Sequence, residues 1–180
     1  MKVLIAEDDS DIALMYEMGL DKKNYYVTIT SNGEECLKAY NEELHKITFD
    51  DNIPNSCNCS LANNPPFDIV LLDYSMPQIN GLEVAKEILS INPHQRIIFV
   101  SAYVKETLEE SIKCLNQVVE LMQKPFTLEK LINTLEDNEA YKELYKLNVD
   151  IDIIKAITPT HEQVMDLLDK VRKIEKARTF

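Results

Sequence analysis

The chain has 180 residues, of which 45% are apolar and 28% are charged, and its formal net charge is −12. This length suits one full domain with a smaller extension. Residues 1–135 carry a net charge of −10 and residues 136–180 a net charge of −2. Neither part therefore has the basic surface that is typical of a nucleic-acid-binding protein.

Targeting and membrane segments are not predicted either. The N-terminal run MKVLIA ends at once in the acidic EDD, and the longest apolar runs are no longer than a strand. Four cysteines in a chain of this kind are most simply reduced thiols. We therefore expect a cytoplasmic protein that contacts no membrane.

Short apolar runs alternate with segments of helical period from the start of the chain to residue 135. The predicted strands are KVLIA from residue 2, YYVTIT from 25, FDIVLLD from 67, RIIFVS from 96 and VVELM from 118. The predicted helices are SDIALMYEMGL from 10, GEECLKAYNEEL from 33, GLEVAKEILSI from 81, ETLEESIKCL from 106 and a fifth from Thr127. Continuous apolar strands joined by crossover helices predict a doubly wound α/β domain with a parallel sheet over residues 1–135.

One segment interrupts this alternation. Residues 46–66 are rich in Asn, Ser and Pro and show neither period, so we predict an inserted loop between the second helix and the third strand. Cys57 and Cys59 lie in it, but a structural zinc site needs four ligands, and even with His45 the set is incomplete. We interpret them as incidental thiols.

The remaining residues, 136–180, are predicted to form a helical extension. Thr160 and Gln163 are spaced as a capping box, and an apolar stripe follows them, formed by Val164, Leu167, Leu168, Val171 and Ile174. Basic and acidic residues nearly balance in this helix, whereas a DNA recognition helix has a basic surround. Packing on the α/β domain and pairing with a second copy are the two favoured interpretations, and a small DNA-binding output is the alternative.

Polar residues follow four of the predicted strands. The acidic EDD at residues 7–9 follows the first strand, Asp73 ends the third, Ser101 ends the fourth and Lys124 follows the fifth. Because ligands of such sheets bind beyond the carboxyl ends of the strands, we expect these residues to converge. Converging carboxylates favour Mg²⁺, and an aspartate beside that ion can attack phosphorus while Lys124 and Ser101 contact the oxygens.

The chain resembles the response-regulator receiver domain of two-component signalling in four motifs. These are AEDDSD at 6–11, LLDYSMPQINGLE at 71–83, VSAY at 100–103 and KPF at 124–126. The resemblance covers residues 1–135 and implies a flavodoxin-like fold with strand order 2-1-3-4-5. It also implies that Asp73 accepts a phosphoryl group from a histidine kinase or a phosphotransfer protein. Such a receiver catalyses only its own phosphorylation and hydrolysis, so we do not expect an enzyme.

The resemblance also implies a magnesium site. By position, Asp8 resembles the direct ligand, Glu7 the acid that binds through water, and the backbone carbonyl of Ser75 a further ligand beside Asp73. Asp9 lies one place beyond the matching acidic pair, so we expect it to begin the first helix, where an acid is favourable.

The predicted switch residues match the family only in part. Ser101 resembles the switch hydroxyl, Lys124 the phosphate-pairing lysine, and the bond before Pro125 is cis in the family. Leu121 stands where the family usually has an aromatic residue that reports phosphorylation. Tyr103 is either a substitute for that aromatic residue or an ordinary loop residue.

One competing activity is an aspartate-nucleophile phosphatase. Such enzymes typically need a second aspartate two positions after the nucleophile as general acid, and this chain has Ser75 there. His94 and His161 look like surface residues without a role in phosphoryl transfer.

Overall fold

The structure is a computed structural model that describes residues 1–48, 65–102, 115, 119–136 and 161–178. The strands in this part of the chain are β1 Lys2–Ala6, β2 Tyr26–Thr30, β3 Ile69–Asp73, β4 Ile97–Ser101 and β5 Glu120–Gln123. The helices are α1 Ser10–Asp21, α2 Gly33–Thr48, α3 Gly81–Ile91, α4 Leu128–Glu136 and α5 His161–Arg178.

The five strands form one parallel sheet with the order β2-β1-β3-β4-β5. This confirms the predicted doubly wound fold and its strand order. In the sheet Asp73 lies beside Val100, and Ser101 lies beside Gln123. The ends of β3, β4 and β5 therefore meet at one edge, which we call the carboxyl edge.

Apolar residues cover both faces of the sheet. One core cluster joins β1, β3, β4 and β5 to α2 and α3, and the other joins the opposite face of the same strands to α1 and α4. Every residue of β3 and β4 is buried. This explains why their sequences are continuous apolar runs rather than alternating ones.

Side-chain caps determine where the helices near the carboxyl edge begin. Asp9 caps α1, because its side chain accepts hydrogen bonds from the N–H groups of Asp11 and Ile12. Asn80 caps α3 in the same way, and the hydroxyl of Thr127 accepts from the N–H of Lys130 at the start of α4. These acceptors satisfy N–H groups that have no partner inside the helix. The prediction for Asp9 is confirmed, and α4 begins one residue after Thr127.

Several predicted boundaries differ from the structure by one to four residues; β3, for example, begins at Ile69, two residues after its predicted start. The loop predicted from residue 46 begins later, because α2 continues to Thr48. Lys46 and His45 lie in its last turn, where basic residues are favourable. Strand β5 begins at Glu120, two residues after the predicted start.

Other predictions lie largely outside the described residues. These are most of the inserted loop, the helix predicted at 106–115 apart from the buried Leu115, and residues 137–160 of the extension. Helix α5 is present as predicted, with Leu168 buried and Ile174 exposed on its apolar stripe. None of the described helices has the length and apolar character that crossing a membrane requires.

Candidate functional site

Three carboxylates meet at the carboxyl edge. Glu7 and Asp8 directly follow β1, Asp73 ends β3, and carboxylate oxygens of the three lie within 4.8 Å of one another. Glu7 and Asp73 are buried, whereas Asp8 is exposed. The N–H of Glu7 donates to the carbonyl of Thr30 at 3.1 Å, which holds the residue against the end of β2.

Lys124 joins two of these carboxylates. Its Nζ lies 2.7 Å from Oδ2 of Asp73, and 3.0 and 2.8 Å from Oε1 and Oε2 of Glu7. Burial lowers the pKa of Lys124, but the hydrogen bonds and charges of Asp73 and Glu7 outweigh it, so the pKa is raised. The backbone N–H of Lys124 also donates to the carbonyl of Ser101 at 2.7 Å, so the ends of β4 and β5 are connected beside the site.

The surroundings of Glu7 raise the pKa of its carboxyl group. Its pKa is raised to about 7, chiefly by burial and also by the charge of Asp73, although the hydrogen bonds from Lys124 act in the opposite direction. Two buried carboxylates therefore share one ammonium group, with a third carboxylate close by. A cation at this point would relieve the remaining repulsion.

The donor set fits Mg²⁺. All three candidate ligands offer carboxylate oxygen, which this ion prefers, and Asp8 is exposed so that bound water can remain in the coordination shell. Asp8, Asp73 and Glu7 are the residues that would hold it. The predicted role of the Ser75 carbonyl stays a prediction.

Backbone contacts orient Asp73. Its Oδ1 accepts a hydrogen bond from the N–H of Ser75 at 3.0 Å, while Oδ2 contacts Lys124. The N–H of Gly81 donates to the carbonyl of Tyr74 at 3.1 Å, and a Cβ at residue 81 would overlap the carbonyl oxygen of Asp73. Only glycine lets α3 begin this close to the end of β3.

The predicted switch residues are described in part. Ser101 is buried at the end of β4, and the Lys124–Pro125 bond is cis as predicted. Leu121 is buried in the core, and Tyr103 lies outside the described residues.

Two aromatic pairs flank the site, and sequence reasoning missed both. Tyr74 packs edge-on against Phe99, with ring centroids 6.3 Å apart. Tyr16 of α1 stacks on Phe126, with centroids 6.0 Å apart and an interplanar angle of 8°. Burial and the charges of Glu7 and Asp73 raise the pKa of Tyr16. The position of Phe126 in the KPF motif is the signal that would have indicated the second pair.

His94 does not join this cluster of carboxylates. His94 is exposed in the turn before β4, at the edge opposite to the site. His161 begins α5, and its side chain lies outside the described set.

Comparison with protein families gives a match to the response regulator receiver domain over residues 56–136. The chain is 27% identical over 135 residues to the response regulator receiver protein CpdR of Brucella abortus. The aligned region covers 75% of this chain and 93% of CpdR. It is 28% identical over 136 residues to the chemotaxis protein CheY of Thermotoga maritima, covering 74% of this chain and 93% of CheY. The match to the response regulator ArlR of Staphylococcus saprophyticus, at 29% identity over 132 residues, covers 73% of this chain but only 49% of ArlR.

Solved structures of receiver domain proteins have the same fold as this chain. A receiver domain protein from Clostridium thermocellum superposes with a TM-score of 0.60 at 22% identity, covering 80% of this chain and 98% of the other. A CheY-like receiver domain protein from Methanospirillum hungatei gives a TM-score of 0.58 at 18% identity, covering 79% of this chain and 96% of the other. The family model, the curated relatives and the solved structures therefore all point to similarity with response regulator receiver domains.

Proposed function

We propose that Asp73 is the phosphoacceptor of a magnesium-dependent response regulator. It takes its phosphoryl group from the phosphohistidine of a histidine kinase or a phosphotransfer protein. The observation that carries the proposal is the contact of 2.7 Å between Oδ2 of Asp73 and Nζ of Lys124, at the end of a buried strand beside Glu7 and Asp8. The similarity to receiver domains supports the identity of the donor.

The reaction uses the carboxylate of Asp73 as a nucleophile. One of its oxygens forms a bond to phosphorus while the bond from phosphorus to the histidine nitrogen breaks, and the imidazole leaves with that electron pair. Lys124 then pairs with a phosphoryl oxygen instead of sharing its charge between Asp73 and Glu7, and the hydroxyl of Ser101 donates to another oxygen. Both groups move toward the phosphoryl group.

Mg²⁺ belongs to this proposal. Asp8 and Asp73 would bind it directly, Glu7 through water, and the carbonyl of Ser75 would complete the protein ligands. When bound, the ion neutralises charge on the oxygens of the transferring group.

Labelling by a small phosphodonor tests the proposal without the kinase. We expect that acetyl phosphate with Mg²⁺ adds the mass of one phosphoryl group to the intact protein, and that a metal chelator prevents the addition. Asp73→Asn should abolish it. Asp68→Asn is the matched control, because Asp68 precedes β3 and accepts from the N–H of Lys2 at the opposite edge. Addition of one phosphoryl group to the Asp73→Asn protein would contradict the proposal.

The proposed protein is not an enzyme with a separate substrate. In the rival phosphatase an acid would stand two positions after Asp73, whereas here Ser75 stands there and its N–H contacts the nucleophile. Steady hydrolysis of a generic phosphate ester by the natural protein, lost in the Asp73→Asn variant, would favour the phosphatase. We expect none.

The output of the receiver is proposed to be a protein contact or a homodimer of the extension, in the cytoplasm. The nearly neutral α5 supports this against DNA binding. Light scattering on the full chain with Mg²⁺, with and without beryllofluoride as a phosphoryl mimic, tests it. A change from monomer to dimer would support a phosphorylation-gated interface. An unchanged monomer would favour a docked extension or a different partner.

A further inference from the structure

A buried ion pair lies at the edge of the sheet opposite to the site. Nε of Arg96, the residue before β4, contacts Oε1 of Glu120, the first residue of β5, at 2.7 Å. The two side chains are only 4% and 1% exposed. Neither residue has a role in the phosphoryl chemistry proposed for Asp73.

The same guanidinium group also holds the end of α4. Its two remaining nitrogens donate to the carbonyls of Thr134 at 2.6 Å and of Leu135 at 3.3 Å. Both carbonyls lie in the last described turn of α4. Arg96 therefore connects β4 and β5 to the described part of α4 that is nearest in sequence to the C-terminal extension.

The two strands that begin at this pair, β4 and β5, also lead to Ser101 and Lys124, the side chains proposed to move toward a phosphoryl group. Ser101 ends β4, roughly 16 Å from Arg96 at the usual rise per residue. Lys124 follows β5 in the same way after Glu120. Further, the carbonyl of Arg96 accepts from the N–H of Val70 at 3.0 Å, which connects it to the strand that ends in Asp73.

The physical cost of this arrangement indicates a role beyond stability. Removing two charges from water is expensive, and apolar side chains of similar volume often serve stability as well or better. What an ion pair adds is geometric selectivity, because the planar guanidinium makes its hydrogen bonds only in one alignment. Here that alignment involves β4, β5 and the end of α4 together.

We propose that Arg96 and Glu120 are positioning residues that couple the phosphorylation state of Asp73 to the C-terminal extension. This rests on the proposed function of Asp73. When Ser101 and Lys124 move toward a phosphoryl group, β4 and β5 shift relative to each other, and the shared guanidinium transmits the shift to Thr134 and Leu135. The last turn of α4, and the chain that follows it, then changes its contacts.

Replacing the pair with apolar residues tests the proposal in the full chain. The double variant Arg96→Met with Glu120→Leu removes both charges and keeps the volume, so no unpaired charge remains in the core. Arg96→Lys is a second variant that keeps the charge but loses the fork that contacts two carbonyls. Lys2→Met with Glu43→Leu is the matched control, because that ion pair connects β1 to α2 and touches neither β4, β5 nor α4. Thermal melting checks that each variant is folded.

Hydrogen exchange at residues 128–136 and 161–178, with Mg²⁺ and with or without beryllofluoride, is the readout. Exchange at the loop 74–80 reports on the site itself. In the natural chain we expect beryllofluoride to change exchange at both places, by at least about fivefold at the end of α4, the lower range of usual allosteric coupling. In the double variant and in Arg96→Lys the change at the loop should remain, while the change at α4 and α5 should be lost. The control variant should behave like the natural chain.

Three results would overturn the coupling. If the double variant transmits the change to α4 as fully as the natural chain does, the pair is only structural. If the natural chain responds at the loop but not at α4, the inference fails while the function of Asp73 stands. If neither place responds and acetyl phosphate adds no phosphoryl group, both the coupling and the proposed function of Asp73 fail.

Discussion

Lys124 brings one positive charge into contact with two buried carboxylates, those of Asp73 and Glu7. The KPF motif indicated the contact with Asp73. The bidentate contact with Glu7 could not be predicted, because the two residues are 117 positions apart and several basic residues are equally available in the sequence. The lysine thus offsets part of the negative charge of the acidic cluster.

Removing this charge tests its role at the residue scale. Lys124→Met should lower the free energy of unfolding of the metal-free protein by about 1–3 kcal/mol, because two buried carboxylates lose their donor. Mg²⁺ should restore more stability in this variant than in the natural protein. Urea unfolding with and without Mg²⁺ measures both effects, and the exposed Lys130→Met serves as control. Equal stability of Lys124→Met and the natural protein without Mg²⁺ would contradict this account.

Cys36 gives a prediction of pH dependence. This thiol is fully buried on α2, and burial raises its pKa from 9.0 to about 12, although a hydrogen bond with Thr30 acts against the shift. Native protein at pH 8 should therefore not react with iodoacetamide at Cys36, whereas urea-unfolded protein should. Peptide mass mapping distinguishes Cys36 from the other three cysteines. Rapid alkylation of the native thiol would contradict the burial of Cys36 in the core beside α2.

The sign of the stability effect follows from the same shift. Below the pKa of the unfolded thiol both states hold the proton, so the contribution of Cys36 is fully present. As the pH rises from about 9 toward 12, the unfolded chain loses the proton first, and the free energy of unfolding falls.

At the scale of elements, the start of α3 lies very close to the end of β3. Gly81→Ala should cost about 1–3 kcal/mol of stability, because a Cβ there overlaps backbone that cannot move without displacing Asp73. The rate of labelling by acetyl phosphate should fall as well.

Gly19→Ala is the matched control for this substitution. The three atoms nearest to its Cβ would all belong to the flexible side chain of Leu128, and alanine favours a helix over glycine by about 1 kcal/mol. We expect a smaller loss of stability and unchanged labelling. If the two alanine variants lost equal stability and labelled equally fast, Gly81 would not position Asp73.

The elements themselves were largely predictable. Strands β3 and β4 are buried on both faces, so their sequences are unbroken apolar runs, and Asp9 preceded α1 as an acid at a helix start. The Arg96–Glu120 pair was not predictable, because Glu120 lies within an apolar run and its partner is 24 residues away. The length of α2 was also missed, since its last turn, His45 to Thr48, holds a single apolar residue.

At the scale of the whole molecule, negative charge is concentrated in the part of the chain that holds the three carboxylates. Residues 1–135 carry a net charge of −10. This negative charge attracts Mg²⁺ over roughly the Debye screening length. That length falls from about 30 Å at 0.01 M ionic strength to about 8 Å at 0.15 M. Calorimetric titration should therefore give a Mg²⁺ affinity that falls several-fold over this range. An affinity independent of salt would mean that the three carboxylates act alone.

The central claim is that Asp73, and no other residue, carries the phosphoryl group. Borohydride reduces an acyl phosphate to an alcohol, so it would convert a phosphorylated aspartate to homoserine. After labelling with acetyl phosphate and Mg²⁺, reduction and proteolysis, tandem mass spectrometry reads the modified position directly. The account predicts homoserine at position 73 alone. Homoserine at another position, or unmodified Asp73 in a protein that has gained a phosphoryl group, would contradict it.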